Sequence, residues 1–586
     1  MKRKLLMLFL SAFLLTMNLM AQQITITGKV TSADDKLGIP GVSVRVKGGA
    51  NSVQSNSDGA YTIGAKAGEV LIFSYIGFIS EERTVGDAKT INVELKSDSK
   101  VLNEVVVTAL GIERSKKSLS YSVQTVKGDD LRNANQSNII NALQGQIAGA
   151  QISASGGSPG LPSEIILRGS TTLSGDNQPL MIVDGIRVNN NASNGTVNRL
   201  SDFNPEDIED ITILKGAAAA ALYGIDAASG AIIITTKSGK AGSLQISGSY
   251  KSFVETMGRT PRQQAIYTTG TGGIYDETSG SSWGRKFRYD EKIYSNINRF
   301  FETALTHDAN FNVNGGSEKL NYYVSGGYRN AGSMIPNTDQ EKINLMVKGT
   351  AKLSKKIELT TSASYIKNDI QEGLVGAGAG GWINSILLYP RRYDILSYQK
   401  PNGDPLYAYV EPGNENQARI SPMWGVMRNP RNNNVDRFLV NNNITYKPIA
   451  GLTLAYRLGQ DFTSTKYRRV ITPGTPSSTA FNGFVAENNS ETKFITSNFT
   501  ATYDKKIAPD LRLTAIAGGS SEYYDNRGVS YEATGFLVSD IFSPNVVNRE
   551  NVIVTEAIAR RQRYAVFGDV RLEYKNIASI GVTGRN

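Results

Sequence analysis

The segments between Ser243 and the last residue constrain the fold most, because apolar and polar side chains alternate along them repeatedly. In KIELTTSASYIKN, Ile357, Leu359 and Tyr365 fall on one face of an extended chain, and polar residues fall on the other. We count about eleven such segments, each near the roughly 9–11 residues with which a tilted β-strand crosses a bilayer. The pattern predicts antiparallel strands of a transmembrane β-barrel.

The connections between these segments alternate between short turns, such as GGSE, LSKK and KNIA, and long loops. A membrane barrel produces this alternation because its turns lie on one side and its loops on the other. A soluble sandwich is the alternative, but it has no reason to keep the alternation or to end its strands in tyrosines. The predicted loops span roughly residues 254–307, 331–341, 369–434, 465–491 and 524–561, and the strand-ending tyrosines are Tyr250, Tyr365, Tyr446, Tyr503 and Tyr574.

The strand count predicts only part of a closed barrel. Lipid offers no partners for unpaired backbone groups, so an open sheet of about eleven strands cannot stand alone in a membrane. The sequence also stops at GVTGRN, inside an apparent strand. We therefore expect residues 241–586 to hold a partial barrel of a truncated chain.

The first residues have the features of a secretory signal peptide. Three basic residues at positions 2–4 precede an apolar core, Leu5 to Met20, and Ala21 suits the position before a cleavage site. A membrane anchor is the alternative, but the core is shorter than the ~20 residues that a spanning helix needs. Residues 1–21 are therefore predicted to be removed on export. The chain has no cysteine, so no disulfide stabilises it.

Two other regions precede the barrel strands. Residues 22–95 contain short alternating runs separated by turn signals such as Asp58-Gly59, which predicts a small β-sandwich. Residues 119–240 mix helix and strand signals, including Asn204 and Pro205 as the start of a helix. The linker between them, residues 96–118, contains VLNEVVVTALG, in which Val105–Val107 is a strand-forming triplet with no neighbouring strand to pair with.

The sequence contains no arrangement that predicts catalysis, a metal site or a cofactor. Its single histidine, His307, cannot form an ordinary zinc site without cysteine, and we expect it to be exposed or interfacial. The excess of basic residues is dispersed, which argues against nucleic-acid binding. Trp283, Trp382 and Trp424 all fall in predicted long loops, where they either stack on a ligand or partner or pack within the loops.

Several motifs resemble known families. Pro40-Gly41, Asp58-Gly59 and SYIGF make the first region similar to the carboxypeptidase regulatory-like domain, a non-catalytic β-sandwich. The whole chain resembles the SusC/RagA family of TonB-dependent outer-membrane transporters. The sharpest motifs are LNEVVVTALG, IILRGSTTL, PLMIVDGI, NPEDIEDITILKGAAAAALYG, GAIIITTKSG, RNPRNNNVDRF and VTGRN. GIDAASG departs from the family, which usually carries an arginine near Asp226.

The resemblance implies an all-β protein with an α+β plug: a small N-terminal β-sandwich, a plug domain at residues 119–240, and part of a transmembrane antiparallel β-barrel that closes with 22 strands in the family. It also implies an outer-membrane location, with lipid around the barrel and the sandwich and linker in the periplasm. The implied partners are TonB with ExbB/ExbD and a SusD-like surface lipoprotein, and the implied cargo is an oligosaccharide or oligopeptide. No enzyme activity and no cofactor are expected.

The linker strand supplies backbone groups to which TonB can add edge-on by β-augmentation. The expected TonB-binding residues are Glu104, Val105, Val106, Val107, Thr108, Ala109 and Leu110. Three plug residues, Arg168, Asp184 and Lys215, are candidates for plug gating, and we expect Arg168 to pair either with a carboxylate in the barrel lumen or within the plug.

Three alternatives remain open at this point. The chain can be a siderophore or cobalamin receptor within the transporter class, although the leading sandwich argues against this. It can instead be a surface binding or signalling receptor that never transports, or a structural protein or adhesin. Uptake of labelled cargo with and without TonB separates transport from the other two.

Overall fold

The structure, a computed structural model, describes residues 24–586 except for short gaps. The predicted signal peptide and most of the linker lie outside the described residues. In the described part of the chain, no helix is both long enough and apolar enough to cross a membrane. The gaps are residues 34, 48–50, 76–77, 87, 97–104, 108–112, 116–122, 134–137, 155–157, 161–162, 174–176, 189–198, 217–218, 221–222, 374–380, 411–417, 478–479, 539 and 576.

The chain divides into two compact units, and the boundary runs through the linker. The first unit is the predicted β-sandwich, in which a three-stranded sheet (order β4-β1-β7) and a four-stranded sheet (order β3-β2-β5-β6) share one apolar core. Gly59, in the predicted turn, has φ +81°, and a Cβ there would lie 2.4 Å from the carbonyl oxygen of Val30. The strands are β1 (Ile24–Ser32), β2 (Ser43–Val46), β3 (Ser52–Gln54), β4 (Ala60–Ala65), β5 (Val70–Ser74), β6 (Glu81–Thr84) and β7 (Val93–Leu95).

The linker strand has a partner, so the prediction of an unpaired strand is wrong. β8 (Val105–Val107) and β9 (Glu113–Ser115) form a two-stranded sheet. A local partner gives the backbone N–H and C=O groups of the valine strand hydrogen bonds that an isolated strand would have to make with water. Among the described residues, no strand pairs with the side of β8 away from β9.

The plug is the first part of the second unit. A mixed five-stranded sheet (order β10-β15-β16-β13-β14) carries its core, and a separate β11–β12 pair lies beside it. Its strands are β10 (Val123–Lys127), β11 (Ala150–Ala154), β12 (Ser163–Leu167), β13 (Leu180–Val183), β14 (Ile186–Arg187), β15 (Ile208–Leu214) and β16 (Ala231–Thr236). Its helices are α1 (Gly128–Asn133) and α2 (Ile139–Ala142), with 3-10 turns at Arg199–Asp202, Pro205–Asp207 and Ile225–Ala227.

The helix predicted at Asn204 is only a single 3-10 turn. The Asn204 side chain accepts a hydrogen bond from the backbone N–H of Glu206, 3.1 Å away, as an N-cap should. The chain then turns directly into β15 at Ile208, whose side chain is buried in the plug core. The local capping signals therefore predicted correctly where the helical turn begins. The strand that follows forms because its apolar residues are buried in the plug core.

The rest of the second unit is a single eleven-stranded sheet in which all neighbours are antiparallel and consecutive along the chain. The eleven predicted barrel strands are therefore confirmed, as is the alternation of short and long connections. The strands are β17 (Gly242–Glu255), β20 (Ala304–Gly316), β21 (Leu320–Gly332), β22 (Asp339–Lys352), β23 (Ile357–Glu372), β26 (Arg431–Tyr446), β27 (Leu452–Ile471), β28 (Phe484–Ala508), β29 (Leu511–Thr534), β30 (Val552–Tyr574) and β31 (Ala578–Arg585).

Several strands are longer than predicted, so the predicted loops were too long. β28 has 25 residues, and only residues 472–483 separate it from β27, instead of the predicted 465–491. At the ends of these strands neither face is apolar, so side-chain alternation does not indicate a strand there. The backbone hydrogen bonds between neighbouring strands nevertheless continue.

The long connections contain short elements that pack together. We call the connections between β17 and β20 and between β23 and β26 the loop cluster. An apolar core that includes the fully buried Phe300, Ile395 and Val426 holds it together. Its elements are β18 (Gly270–Thr271), β19 (Ile274–Tyr275), α3 (Asn296–Phe300), α4 (Trp382–Leu388), β24 (Tyr407–Tyr409), β25 (Arg419–Ile420) and α5 (Pro422–Arg428).

Candidate functional site

The two faces of the eleven-stranded sheet differ in chemistry. On one face, large apolar side chains are exposed on many strands, including Ile246, Phe311, Phe438, Phe499 and Val566. Residues of alternate parity on the same strands face the plug and make polar contacts with it. We call this second face the wall and its contacts with the plug the plug–wall interface.

A buried charge cluster is the strongest feature of the plug–wall interface. Arg437 on β26 donates to Asp461 on β27 from Nε (2.9 Å to Oδ1) and from a terminal nitrogen (2.7 Å to Oδ2). Its other terminal nitrogen donates to Oδ2 of the plug residue Asp202 over 3.1 Å. The side chains of Arg437 and Asp202 are 0% exposed, and that of Asp461 is 3% exposed. The plug therefore supplies one of two carboxylates to a guanidinium held in the wall.

Further wall residues hold the same plug segment. Lys342 Nζ donates to the backbone carbonyl of Ser201 over 3.2 Å. Asn344 Nδ2 donates to the backbone carbonyl of Asp202 over 2.8 Å, and Asn368 Nδ2 reaches the Asp202 carboxylate over 3.3 Å. The 3-10 turn Arg199–Asp202 is thus held through both backbone and side chain.

Asp184, a predicted gating residue, lies in a second contact between plug and wall. It occupies the turn between β13 and β14 with φ +48°. Its carboxylate accepts hydrogen bonds from the backbone N–H (2.9 Å) and hydroxyl (2.6 Å) of Thr236. Lys348 on wall strand β22 donates to the same carboxylate over 3.0 Å. The carboxylate therefore joins two plug strands and one wall strand.

A third contact surrounds Asp226, near which the family usually carries an arginine. Its carboxylate pairs with the plug residue Arg187 over 2.5 Å and with the wall residue Arg563. Arg187 also contacts Glu522 of the wall over 3.2 Å. Burial would raise the pKa of Asp226, but the charge of Arg187 and hydrogen bonds from both arginines outweigh it and hold the pKa below its usual value. The carboxylate is therefore ionised and binds the plug to β30.

The other two predicted gating residues make no contact of this kind. Arg168 is exposed, with φ +60°, and no carboxylate among the described residues lies within ion-pairing distance of its guanidinium, contrary to our expectation. The turn after β12 places it beside plug backbone at Gly149 and Gly216. Lys215 donates to the side chain of Gln124 (3.2 Å) and to a backbone carbonyl of the plug (2.7 Å). Burial and the nearby Arg168 lower its pKa.

The predicted TonB-binding segment is only partly described. The backbone of Val105–Val107 forms β8, whereas Glu104, Thr108, Ala109 and Leu110 lie outside the described residues. Their role stays a prediction.

The three tryptophans of the loop cluster differ in accessibility. Trp424 is 1% exposed, and its indole N–H donates to the hydroxyl of Thr475 over 2.9 Å, so it belongs to the packed interior and is unavailable to a ligand. Trp382 stacks on Phe300 with ring centroids 5.5 Å apart. Trp283 is 63% exposed and is the one of the three with a largely free ring. Helix α5 buries Trp424, and sequence patterns could not predict this because the helix is short and lies between loops.

The charged residues of the plug–wall interface were missed at the sequence level, although a signal was present. Arg437 lies between Asp436 and Phe438, and its neighbour Phe438 is 52% exposed on the outer face. Strand alternation therefore puts Arg437 on the inner face, where a charge needs a partner. Which carboxylates supply it could not be read from the strand alone, since Asp202 is 235 residues away in the sequence.

Comparisons with known proteins agree with this architecture. Residues 115–231 match the family model of the TonB-dependent receptor plug domain, and residues 26–107 match that of the CarboxypepD_reg-like domain. The chain is 29% identical to TonB-dependent receptor P26 of Formosa agariphila over 96% of this chain and 55% of the relative. It is 31% identical to TonB-dependent receptor SusC of Bacteroides thetaiotaomicron over 73% of this chain and 42% of the relative.

Among solved structures, the RagAB peptide importer in its open-open state has the same fold. The TM-score is 0.65 at 21% identity, over 82% of this chain and 56% of that chain. The chain spans about half the length of the relatives it matches. Over most of its length, then, the chain is a homologue of SusC and other TonB-dependent receptors, with a plug domain, a CarboxypepD_reg-like domain and an eleven-stranded antiparallel sheet.

Proposed function

We propose that the chain takes part in TonB-dependent import of oligosaccharides or oligopeptides across the outer membrane. The observation that carries the proposal is the plug–wall interface: a plug held by buried ion pairs to one face of a sheet whose other face exposes apolar side chains. Such a plug closes a lipid-embedded barrel. It can still be displaced from the wall, because the polar contacts that hold it can break one at a time.

Energy for uptake comes from TonB, with ExbB/ExbD, because the outer membrane has no ion gradient of its own. TonB pairs with residues 104–110 by adding a strand to the open edge of β8. β9 is not in the way of this addition, since it occupies the other edge. The linker leads directly into β10, which is an edge strand of the plug sheet and pairs only with β15. A pull on the linker therefore reaches an edge of the plug first.

The contacts that resist such a pull lie in the later part of the plug. Asp184, Asp202 and Asp226 each bind a cation of the wall. We propose Asp184 as a gating residue on this ground, with Asp202 and Asp226 added. Arg168 and Lys215 remain weaker candidates, since their described contacts are within the plug.

The cargo and the surface partner follow from the family. SusC-type relatives and the RagAB peptide importer support a saccharide or peptide cargo and a SusD-like lipoprotein over the loop cluster. Relatives named as receptors support a non-enzymatic role. The signal peptide delivers the chain to the outer membrane, with the sandwich and linker on the periplasmic side.

The test is uptake of labelled malto-oligosaccharides and mixed peptides by cells that carry the gene from which this chain comes, with and without TonB. Val106→Pro removes a backbone donor from the centre of β8 and should abolish uptake while membrane insertion and surface binding persist. Val106→Ile, which keeps the donor, should transport normally. Normal uptake by the proline variant would overturn the linker assignment, and TonB-independent binding without uptake would favour a non-transporting receptor. Uptake of cobalamin or a siderophore instead would favour that alternative class.

A further inference from the structure

One guanidinium in the loop cluster has aromatic contacts on its faces and no acceptor for a buried nitrogen. The Arg392 guanidinium carbon lies 4.6 Å from the ring centre of Tyr275 and 5.2 Å from that of Tyr393. One of its terminal nitrogens is fully shielded from solvent and has no hydrogen-bond partner among the described residues. No carboxylate of the described residues lies within ion-pairing distance of Arg392.

Three charged neighbours of Arg392 already have partners. Arg391, the preceding residue, donates to three backbone carbonyls over 2.9–3.2 Å. Asp394 binds Arg299 through both carboxylate oxygens at 3.0 Å. Arg285, which also approaches Tyr275, binds Glu291 through two contacts of 2.6 and 2.8 Å. These three neighbours therefore hold one another or the backbone, and none of them supplies an anion to Arg392.

The segment that carries Arg392 is held in place. Asn296 on α3 is 0% exposed, and its side chain donates to the carbonyls of Pro390 (3.3 Å) and Tyr393 (3.0 Å). It also accepts from the backbone N–H of Ile395 over 3.2 Å. On the opposite side, the β18–β19 hairpin fixes Tyr275. The two rings that contact the Arg392 guanidinium, those of Tyr275 and Tyr393, therefore belong to segments that hydrogen bonds hold in place.

We propose that Arg392, between Tyr275 and Tyr393, binds a carboxylate group of the cargo. A guanidinium presents parallel N–H donors that match the two oxygens of a carboxylate. The inference rests on the proposed function for the identity of the ligand as cargo. The two sources of such a group are a uronic acid in an oligosaccharide and an acidic side chain or C-terminus in a peptide.

A carboxylate of the chain itself lies near the site. Burial raises the pKa of Tyr393 most, the charge of Arg392 lowers it, and the charge of Glu277 raises it. Glu277 is therefore close enough to influence the site without pairing with Arg392. An incoming carboxylate meets repulsion from it. Glu277→Gln should therefore strengthen binding of an anionic ligand and leave a neutral one unchanged.

The experiment measures binding by the protein purified in detergent micelles from cells that carry the gene, without TonB, so that it does not depend on transport. The probes are tri-galacturonate and maltotriose as an acidic and a neutral saccharide, and triglutamate and amidated triglutamine as the peptide pair. Arg392→Gln should weaken binding of the acidic probes at least tenfold, about 1.4 kcal/mol. Arg392→Lys keeps the charge but not the fork and should recover only part of the loss. Arg288→Gln, which removes an exposed charge from the same loop cluster, is the matched control and should change little.

The outcomes separate the two ideas. Preference for the acidic saccharide or the acidic peptide, lost in Arg392→Gln, supports the site and identifies the source of the carboxylate. Equal affinity for acidic and neutral probes, or an unchanged affinity in Arg392→Gln, overturns it and leaves the import proposal standing. A chain that binds acidic probes through Arg392 but supports no TonB-dependent uptake would contradict the import proposal alone. Arg392→Lys provides a second test if the glutamine variant does not fold. A folded lysine variant that binds acidic probes as tightly as the parent protein would show that the paired N–H donors of the guanidinium are not needed.

Discussion

Replacing Arg437 by methionine tests the physical basis of plug docking. The change removes the cation between Asp202 (0% exposed) and Asp461 (3% exposed), which leaves Asp461 without the arginine of its ion pair and Asp202 with the more distant Arg199, 3.8 Å away. Breaking a buried ion pair by removing one partner costs about 3–5 kcal/mol. We expect the free energy of opening at Ile208–Leu214, which follows the docked turn, to fall by about that amount. The readout is amide hydrogen exchange of the chain in micelles.

The reasoning also predicts how the loss can be reversed. A double variant that adds Asp461→Asn removes the carboxylate that has lost its cation and keeps the pair between Arg199 and Asp202 (3.8 Å). Replacing a whole buried ion pair by neutral groups is often close to neutral in stability. It should therefore regain at least half of the loss. Asp202→Asn alone should cost less than Arg437→Met, since Asp461 still pairs with the arginine through two hydrogen bonds.

The control is Arg527→Met on the outer face, where the side chain is 59% exposed and the expected change is within about 0.5 kcal/mol. The reasoning fails if Arg437→Met leaves the exchange of the plug strands unchanged, or if the double variant is no more protected than the single one. In either case the burial of the cluster would not be what makes it costly to break.

Three further perturbations have expected results. Asp184→Asn removes the charge that Lys348 meets and should lower the opening free energy of the β13–β14 amides by about 2 kcal/mol, measured by hydrogen exchange. Trp424→Ala should destabilise the loop cluster by about 3–5 kcal/mol in thermal unfolding, whereas Trp283→Ala should change it by less than about 0.5 kcal/mol, because only the first ring is buried. Hydrogen bonds from the Arg285 side chain and from backbone hold the pKa of Glu291 at about 2, below its usual value. The stability from this pair is present above the ordinary glutamate pKa and is lost as the pH falls towards 2, so protease cleavage of the loop should rise only below about pH 4 and should be pH-independent in Glu291→Gln.

Strand alternation predicted most of the fold. The eleven barrel strands, the sandwich and the turn at Asp184-Gly185 are local patterns, since each depends on neighbours a few residues away. Strand ends were less predictable. β28 continues well past the apolar band because its hydrogen bonds to β27 and β29 do not require one apolar face.

The functional contacts divide in the same way. The sequence indicated Asp184 and the linker valines through motif and resemblance, but Arg437 was not singled out, although alternation puts it on the inner face. For Arg168 the sequence left open a carboxylate in the barrel lumen or a pair within the plug, and for Trp424 it left open whether the ring packs or binds. The pairing of β9 with β8 was not predicted, because each strand has only three residues and no turn motif was recognised between them.

By itself, then, the sequence determined the order of domains, the number of strands and the face on which each side chain lies, because these follow from the period of an extended chain and from turn chemistry. Only the tertiary structure decided which charges meet. Asp202 and Arg437, Asp184 and Lys348, and Asp226 and Arg563 are brought together across more than 150 residues of chain, at an interface whose low polarity requires each charge to have a partner. The same requirement, left unmet at Arg392, is what points to a ligand there.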